Sequence, residues 1–169
     1  MREISDKVKA IISKINILAM DVDGTLTDGK IYIGNEGEAM KVFSVKDGYA
    51  IHNLLPKYGV IPIIITGRQS KILENRAREL GVKLLYQGVN DKLNLLEKIA
   101  DERNITIDEV AYIGDDINDL ECITKCGFGG CPADAAVEVR EKADFIATKS
   151  GGEGAVREFI EIILTQKGK

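Results

Sequence analysis

The chain has no tryptophan, and aromatic residues reach only 5% of its 169 positions. Proteins that hold single-stranded nucleic acid stack bases on aromatic platforms, so this shortage argues against that role. Basic runs are missing as well. Lysine and arginine number 23 against 27 acidic residues, for a net charge of −4, and they gather nowhere into a patch able to neutralise a phosphate backbone. Nucleic acid is therefore not an expected partner. No apolar stretch approaches the roughly 20 residues that span a bilayer, so a membrane is not expected either. Residues 1–15 follow an amphipathic pattern interrupted by Glu3, Asp6, Lys7 and Lys9. They have neither the apolar centre nor the cleavage site of a secretory signal, and the expected compartment is the cytoplasm. Cysteine is scarce. Cys122, Cys126 and Cys131 have no histidine near them, and their spacing fits no common zinc pattern, so they read as buried, reduced, small apolar residues. His52 is the sole histidine; beside Ile51 on a helical pattern, it reads as structural.

What is present is an ordinary apolar share of 44%, in a chain long enough to bury roughly 70% of its unfolded surface without disulfides. Apolar, β-rich runs at 17–20, 60–65, 82–86, 110–113, 127–130 and 145–147 alternate with helical patterns at 47–58, 70–80, 91–103, 117–126, 135–142 and 155–164. Several of the runs carry almost no polar residue, as strands covered on both faces require. The alternation implies right-handed crossovers and a three-layer α/β/α, doubly wound parallel sheet of Rossmann-like type. One domain over residues 1–169 is expected. Residues 29–46 break the alternation: two β-rich runs flank Asn35-Glu36-Gly37-Glu38, the signal of a projecting β-hairpin.

Four segments carry chemistry. Asp21-Val22-Asp23-Gly24 leaves the first buried run, at the carboxyl end of a strand, where open α/β sheets bind ligands. Two acids one residue apart repel each other unless a cation intervenes, and a hard divalent ion such as magnesium suits their oxygens. Alone, the pair could equally be a polar turn with an Asp cap. Thr66-Gly67-Arg68 follows the second central run and offers a hydroxyl and backbone N–H groups to phosphate oxygens. Lys92 opens a helix, where its charge opposes the helix dipole; it faces solvent, or it bridges a carboxylate and a phosphate as a point charge. Gly114-Asp115-Asp116-Ile117-Asn118-Asp119 places three acids at another strand end. Asp116 and Asp119 could cap the following helix, but a second acidic strand end points to a metal site at Asp115.

In this order the four segments resemble those of the haloacid dehalogenase superfamily of phosphotransferases, along essentially the whole chain. The resemblance implies Asp21 as nucleophile, with Asp23 as general acid and base that also lends a backbone oxygen to Mg²⁺. Thr66 would bind the transferring phosphoryl group with help from Gly67, and Lys92 would neutralise it. Asp115 would ligate the metal with Asp21 and Asp23, and Asp116 and Asp119 would support it. The strings DVDGTLTDG, KIYIG, VKDGYAI, ITGRQS, LYQGVNDK, AYIGDDIND and GGEGAVREF look like the small capless branch that includes 3-deoxy-D-manno-octulosonate 8-phosphate phosphatases. That closer resemblance implies a phosphorylated sugar acid as substrate and a homotetramer in which hairpins of neighbouring subunits pack together and help to close the sites. Arg68 and Arg157 become candidates for the substrate carboxylate. The chain departs from the branch at Lys46 and Glu153, where arginine is expected, and at Ala50, where glycine is.

The alternatives are a nine-carbon sugar acid 9-phosphate or another small phosphate monoester as substrate, a phospho-receiver switch, and a catalytically idle scaffold subunit. A receiver places its acidic pair first and its phospho-accepting Asp on a separate strand, and leaves no task for Asp23.

Overall fold

The computed structural model describes residues 6–168, so the first five residues of the amphipathic N-terminal pattern lie outside the described residues. Helix α1 (Asp6–Ile12) leads into strand β1 (Ile17–Met20), then the hairpin strands β2 (Tyr32–Gly34) and β3 (Gly37–Met40), helix α2 (Val45–Tyr49) and strand β4 (Ile61–Ile65). Helix α3 (Lys71–Glu79), strand β5 (Leu84–Tyr86), helix α4 (Lys92–Glu102) and strand β6 (Val110–Ile113) follow. Helix α5 (Leu120–Lys125), strand β7 (Phe128–Cys131), helix α6 (Val137–Lys142), strand β8 (Phe145–Ile146) and helix α7 (Ala155–Lys167) complete the order.

Six strands form one parallel sheet in the order β5-β4-β1-β6-β7-β8, and β2 and β3 form a separate antiparallel pair. Every residue of β1 is buried, and the two faces alternate as a strand must. Leu18 and Met20 join the core beneath α1, α3 and α7, while Ile17 and Ala19 join the core beneath α4, α5 and α6. These are the expected three layers. Burying one large aliphatic side chain stabilises by roughly 1.5–3 kcal/mol, so the doubly covered β1 is an immobile base for the residues that leave its end. After β1 the chain winds to β4 and β5 on one side, then to β6, β7 and β8 on the other. The reversal lies at β1, and its carboxyl end opens the crevice where such sheets bind ligands.

The segments over 47–58 and 29–46 differ from their sequence pattern in more than a boundary. The helix expected over 47–58 begins at Val45 because the Ser44 hydroxyl accepts from the Lys46 and Asp47 N–H groups, at 3.2 and 3.5 Å. Its path then widens into a π turn (Ala50–Leu54) and tightens into a 3₁₀ turn (Leu55–Tyr58). Pro56 has no N–H to give to the carbonyl four residues earlier, so a regular α-helix cannot run through it. The hairpin strands are also shorter than expected. Pairing stops at Met40, and the chain turns inward to pack Phe43 against the core.

Candidate active site

Asp21 follows β1 directly, and its N–H donates to the Ile113 carbonyl at 3.0 Å, which ties it to the end of β6, two residues before Asp115. The turn between them needs glycine at position 24. Its φ is +95°, and a Cβ there would lie 2.0 Å from Asp115 Oδ2. Thr25 Oγ1 donates to Asp115 Oδ1 at 2.9 Å, and Thr27 Oγ1 accepts from the Gly24 and Gly29 N–H groups. Both threonines are buried supports that the sequence pattern did not single out.

Lys92 resolves its own misplacement at the start of α4. Its side chain is buried, and Nζ donates to Asp21 Oδ1 and to Asp119 Oδ1, each at 2.6 Å. Asp119 is fully enclosed. Its Oδ1 also accepts from the Tyr112 hydroxyl at 2.5 Å, and its Oδ2 accepts from the Asp115 and Asp116 N–H groups at 3.1 and 3.3 Å. Four donors saturate a carboxylate. Asp119 therefore aims Lys92 and shapes the Asp115 loop rather than offering lone pairs to an ion. Asp116 is exposed and caps the turn that follows, accepting from the Ile117 N–H at 2.8 Å.

Among the described residues, ligand oxygens of Asp21, Asp115 and Asp119 lie within 4.8 Å of one another. Burial, then repulsion from Asp119, pushes Asp21 up to about 7 against the pull of Lys92. Burial likewise raises Asp115 to about 6, opposed by the bond from Thr25. Three crowded carboxylates share one ammonium, an excess of negative charge that a divalent cation relieves. With Asp119 saturated, Asp21 and Asp115 are the side chains fitted to hold such an ion, and a bound Mg²⁺ would supply positive charge to phosphoryl oxygens there.

Asp21, Asp23, Thr66, Gly67, Arg68, Asp115, Asp116 and Asn118 line a cavity of about 150 Å³. Lys92 touches it from beneath through Asp21. Thr66, buried at the end of β4, accepts the Arg68 N–H at 3.3 Å. Arg157 does not line the cavity: it lies on α7, paired with Glu161 Oε1 at 2.7 Å and set over the Tyr49 ring. Two hairpin residues reach the site. Lys41 donates to Asp23 Oδ1, and Glu38 accepts from the Ser70 hydroxyl. Neither stands out in the sequence, where both read as polar positions of an exposed hairpin.

The scarce residues behave as their context suggests. The three cysteines are free and buried, and burial pushes the Cys122 and Cys131 thiols up to about 12, which leaves them protonated and unreactive. His52 Nδ1 lies 3.0 Å from the Leu80 carbonyl, a structural bond at the end of α3.

A family model of haloacid dehalogenase-like hydrolases matches residues 85–160. The 3-deoxy-D-manno-octulosonate 8-phosphate phosphatase KdsC of Escherichia coli K12 is 42% identical over 170 residues, covering 98% of this chain and 88% of the relative. The chain belongs to the haloacid dehalogenase-like hydrolases, in the branch of the KdsC phosphatases. Membership makes it a phosphatase, an enzyme of the phosphoric monoester hydrolase class. The fold agrees. The Moraxella catarrhalis 3-deoxy-D-manno-octulosonate 8-phosphate phosphatase, solved with magnesium, phosphate and KDO, superposes with a TM-score of 0.92 at 40% identity, over 96% of this chain and 93% of that one. A cobalt-bound deoxy-D-mannose-octulosonate 8-phosphate phosphatase from Haemophilus influenzae gives 0.88 at 35% identity, over 94% and 92%.

Proposed function

We propose that this chain hydrolyses 3-deoxy-D-manno-octulosonate 8-phosphate to the free sugar acid and phosphate, with Mg²⁺ bound and Asp21 as the nucleophile. The observation that carries the reading is the pairing of Asp21 with buried Lys92 at the head of a cavity that Asp23, Thr66, Arg68 and Asp115 complete. An Asp21 oxygen attacks phosphorus in line, the bond to the sugar oxygen breaks, and an aspartyl phosphate forms. Asp23 gives its proton to the departing alkoxide, then takes one from the water that hydrolyses the intermediate. Lys92, the Thr66 hydroxyl and the Gly67 N–H face the negative phosphoryl oxygens. Asp21, Asp115 and the backbone oxygen of Asp23 would hold the metal. Arg68, at the cavity wall, is the nearer candidate for the sugar carboxylate; Arg157 serves it only if another subunit draws it in.

The working form is a homotetramer. Ile33 is 68% exposed and Val45 82% exposed, and Ile31, Met40, Val42 and Tyr49 extend this apolar surface along the hairpin and the first turn of α2. Exposed apolar surface of this kind marks a docking face, here for other copies of the chain. The chain acts as one catalytic domain over residues 1–169. Its three free thiols suit the reducing cytoplasm, and no described helix is long and apolar enough to cross a membrane.

Phosphate release measured over a panel of sugar phosphates with Mg²⁺ tests the substrate. The eight-carbon sugar acid 8-phosphate is expected to give the highest kcat/KM. Exposed Glu153, a negative charge where arginine is expected, makes a nine-carbon sugar acid 9-phosphate the rival to include. Faster turnover of that ester overturns the assignment.

A further inference from the structure

Each acid of the Asp21-Val22-Asp23 turn has a lysine of its own. Asp21 is held by Lys92, 71 positions away at the start of α4, and Asp23 by Lys41, 18 positions away on the hairpin. The geometry points to Lys41 as a positioning residue that holds the Asp23 carboxylate in place for proton transfer to the leaving group. The proposal rests on the reading of Asp23 as general acid.

The Lys41 side chain is only 3% exposed although it sits just past the last paired residue of a projecting hairpin. Its Nζ lies between Asp23 Oδ1 and Glu38 Oε1, the latter at 3.0 Å. Arg68 closes the other side, with Nε 3.8 Å from Asp23 Oδ2 and Nη2 3.7 Å from Glu38 Oε1. Two acids and two bases thus alternate around a ring whose charges balance once Asp23 has given up its proton, so the ring holds the ionised product of the transfer. Ser70 anchors the ring, because its hydroxyl binds Glu38 while it also caps α3 through the Leu73 N–H at 3.2 Å. Enclosing a lysine costs solvation and side-chain freedom. A hairpin that needed only attachment would be held more cheaply by apolar contacts. Here the ammonium is spent on one oxygen of the acid–base residue, with Arg68 beside the other. Both oxygens of Asp23 are thereby restrained. General acids act only when held within hydrogen-bond reach of the departing oxygen.

Leaving-group dependence tests the role. A sugar phosphate leaves as an alkoxide that needs a proton, whereas p-nitrophenolate leaves unaided. In the full chain with Mg²⁺, Lys41→Met is expected to lower kcat for the sugar phosphate by about 10²-fold, the scale of general acid catalysis, with KM nearly unchanged. Its loss on p-nitrophenyl phosphate is expected to be at least about tenfold smaller. Lys41→Arg should recover part of the lost kcat. Lys41→Gln, closer in polarity, is read in the same way if the methionine variant does not fold. Equal losses on both esters, or a loss confined to KM, overturn the proposal. Asp23→Asn is measured alongside. A selective loss there without one at Lys41 removes Lys41 and keeps the acid, whereas equal losses in Asp23→Asn remove the acid role itself and the proposal with it.

Discussion

Asp21 and Asp115 leave the ends of strands buried on both faces, with Lys92 at the start of α4 and Asp119 in the turn before α5 packed beneath them. Lys41 and Glu38 stand on a two-stranded hairpin with Ile33 and Met40 bare to solvent. The first group is locked by packing and by hydrogen bonds that saturate Asp119. The second reaches the site through ion pairs and the hydrogen bond from Ser70 to Glu38, from an element too small to be stable by itself in water. The sheet supplies the groups that must not move while phosphorus changes partners. In the proposed mechanism the hairpin supplies those that address the leaving group.

Substitutions on the sheet side are expected to have the largest effects. Asp21→Asn removes the proposed nucleophile and should lower phosphate release by on the order of 10⁴-fold or more, as loss of a nucleophile does elsewhere, while the circular dichroism spectrum stays native. Retained turnover would move the nucleophile elsewhere. Asp119→Ala strips Lys92 of a partner and leaves the buried Tyr112 hydroxyl and two N–H groups unpaired. Breaking a buried pair of this kind costs about 3–5 kcal/mol, to be read from urea unfolding; a loss near zero would show that the locked side is not locked.

On the hairpin side, joint Ile33→Asp and Val45→Asp substitutions should lower the particle mass measured by light scattering and reduce turnover, with little change in monomer stability. An unchanged mass would place the subunit interface on another face.

The smallest effect belongs to Asp47, at the base of the hairpin. It is 1% exposed, its Oδ1 accepts the Arg157 N–H at 2.7 Å, and its Oδ2 has no partner by hydrogen-bond geometry. Burial raises this carboxyl from 3.8 to about 6, against the bonds from the Arg157 and Gly154 backbone and the nearby Arg157 and Arg76 charges. Between those two values the folded chain holds a proton that the unfolded chain has lost, so Asp47's contribution to stability falls as pH rises from about 4 to 6. Asparagine keeps the acceptor and carries no charge. Asp47→Asn should therefore flatten that part of the stability profile relative to the parent and gain at most about 3 kcal/mol at pH 7. Parallel profiles would place the strain elsewhere.

Much of the sheet side was legible beforehand for a local reason. An unbroken apolar run followed by an acid or a threonine marks a strand end, and Asp21, Thr66 and Asp115 each follow such a run. Lys92 could be noticed because its charge is wrong for a helix start, although its partners could not. Boundaries moved where a single residue decided them. Ser44 starts its helix early, and Ala136 delays α6 because it stays extended and gives its N–H to the Asp115 carbonyl at 2.8 Å.

The sequence by itself determined the layered α/β/α fold, the order of the reactive segments and the acids that leave the strands. Those follow from periodicity and from neighbours along the chain. Tertiary structure alone decided that Asp119 is enclosed by Lys92, Tyr112 and two N–H groups, and that Lys41 and Glu38 turn inward to Asp23 and Ser70. Lys92 meets Asp119 across 27 positions, and Glu38 meets Ser70 across 32. A charged side chain has the same letter whether it faces water or a buried partner, and which one it meets is set by the packing of distant segments.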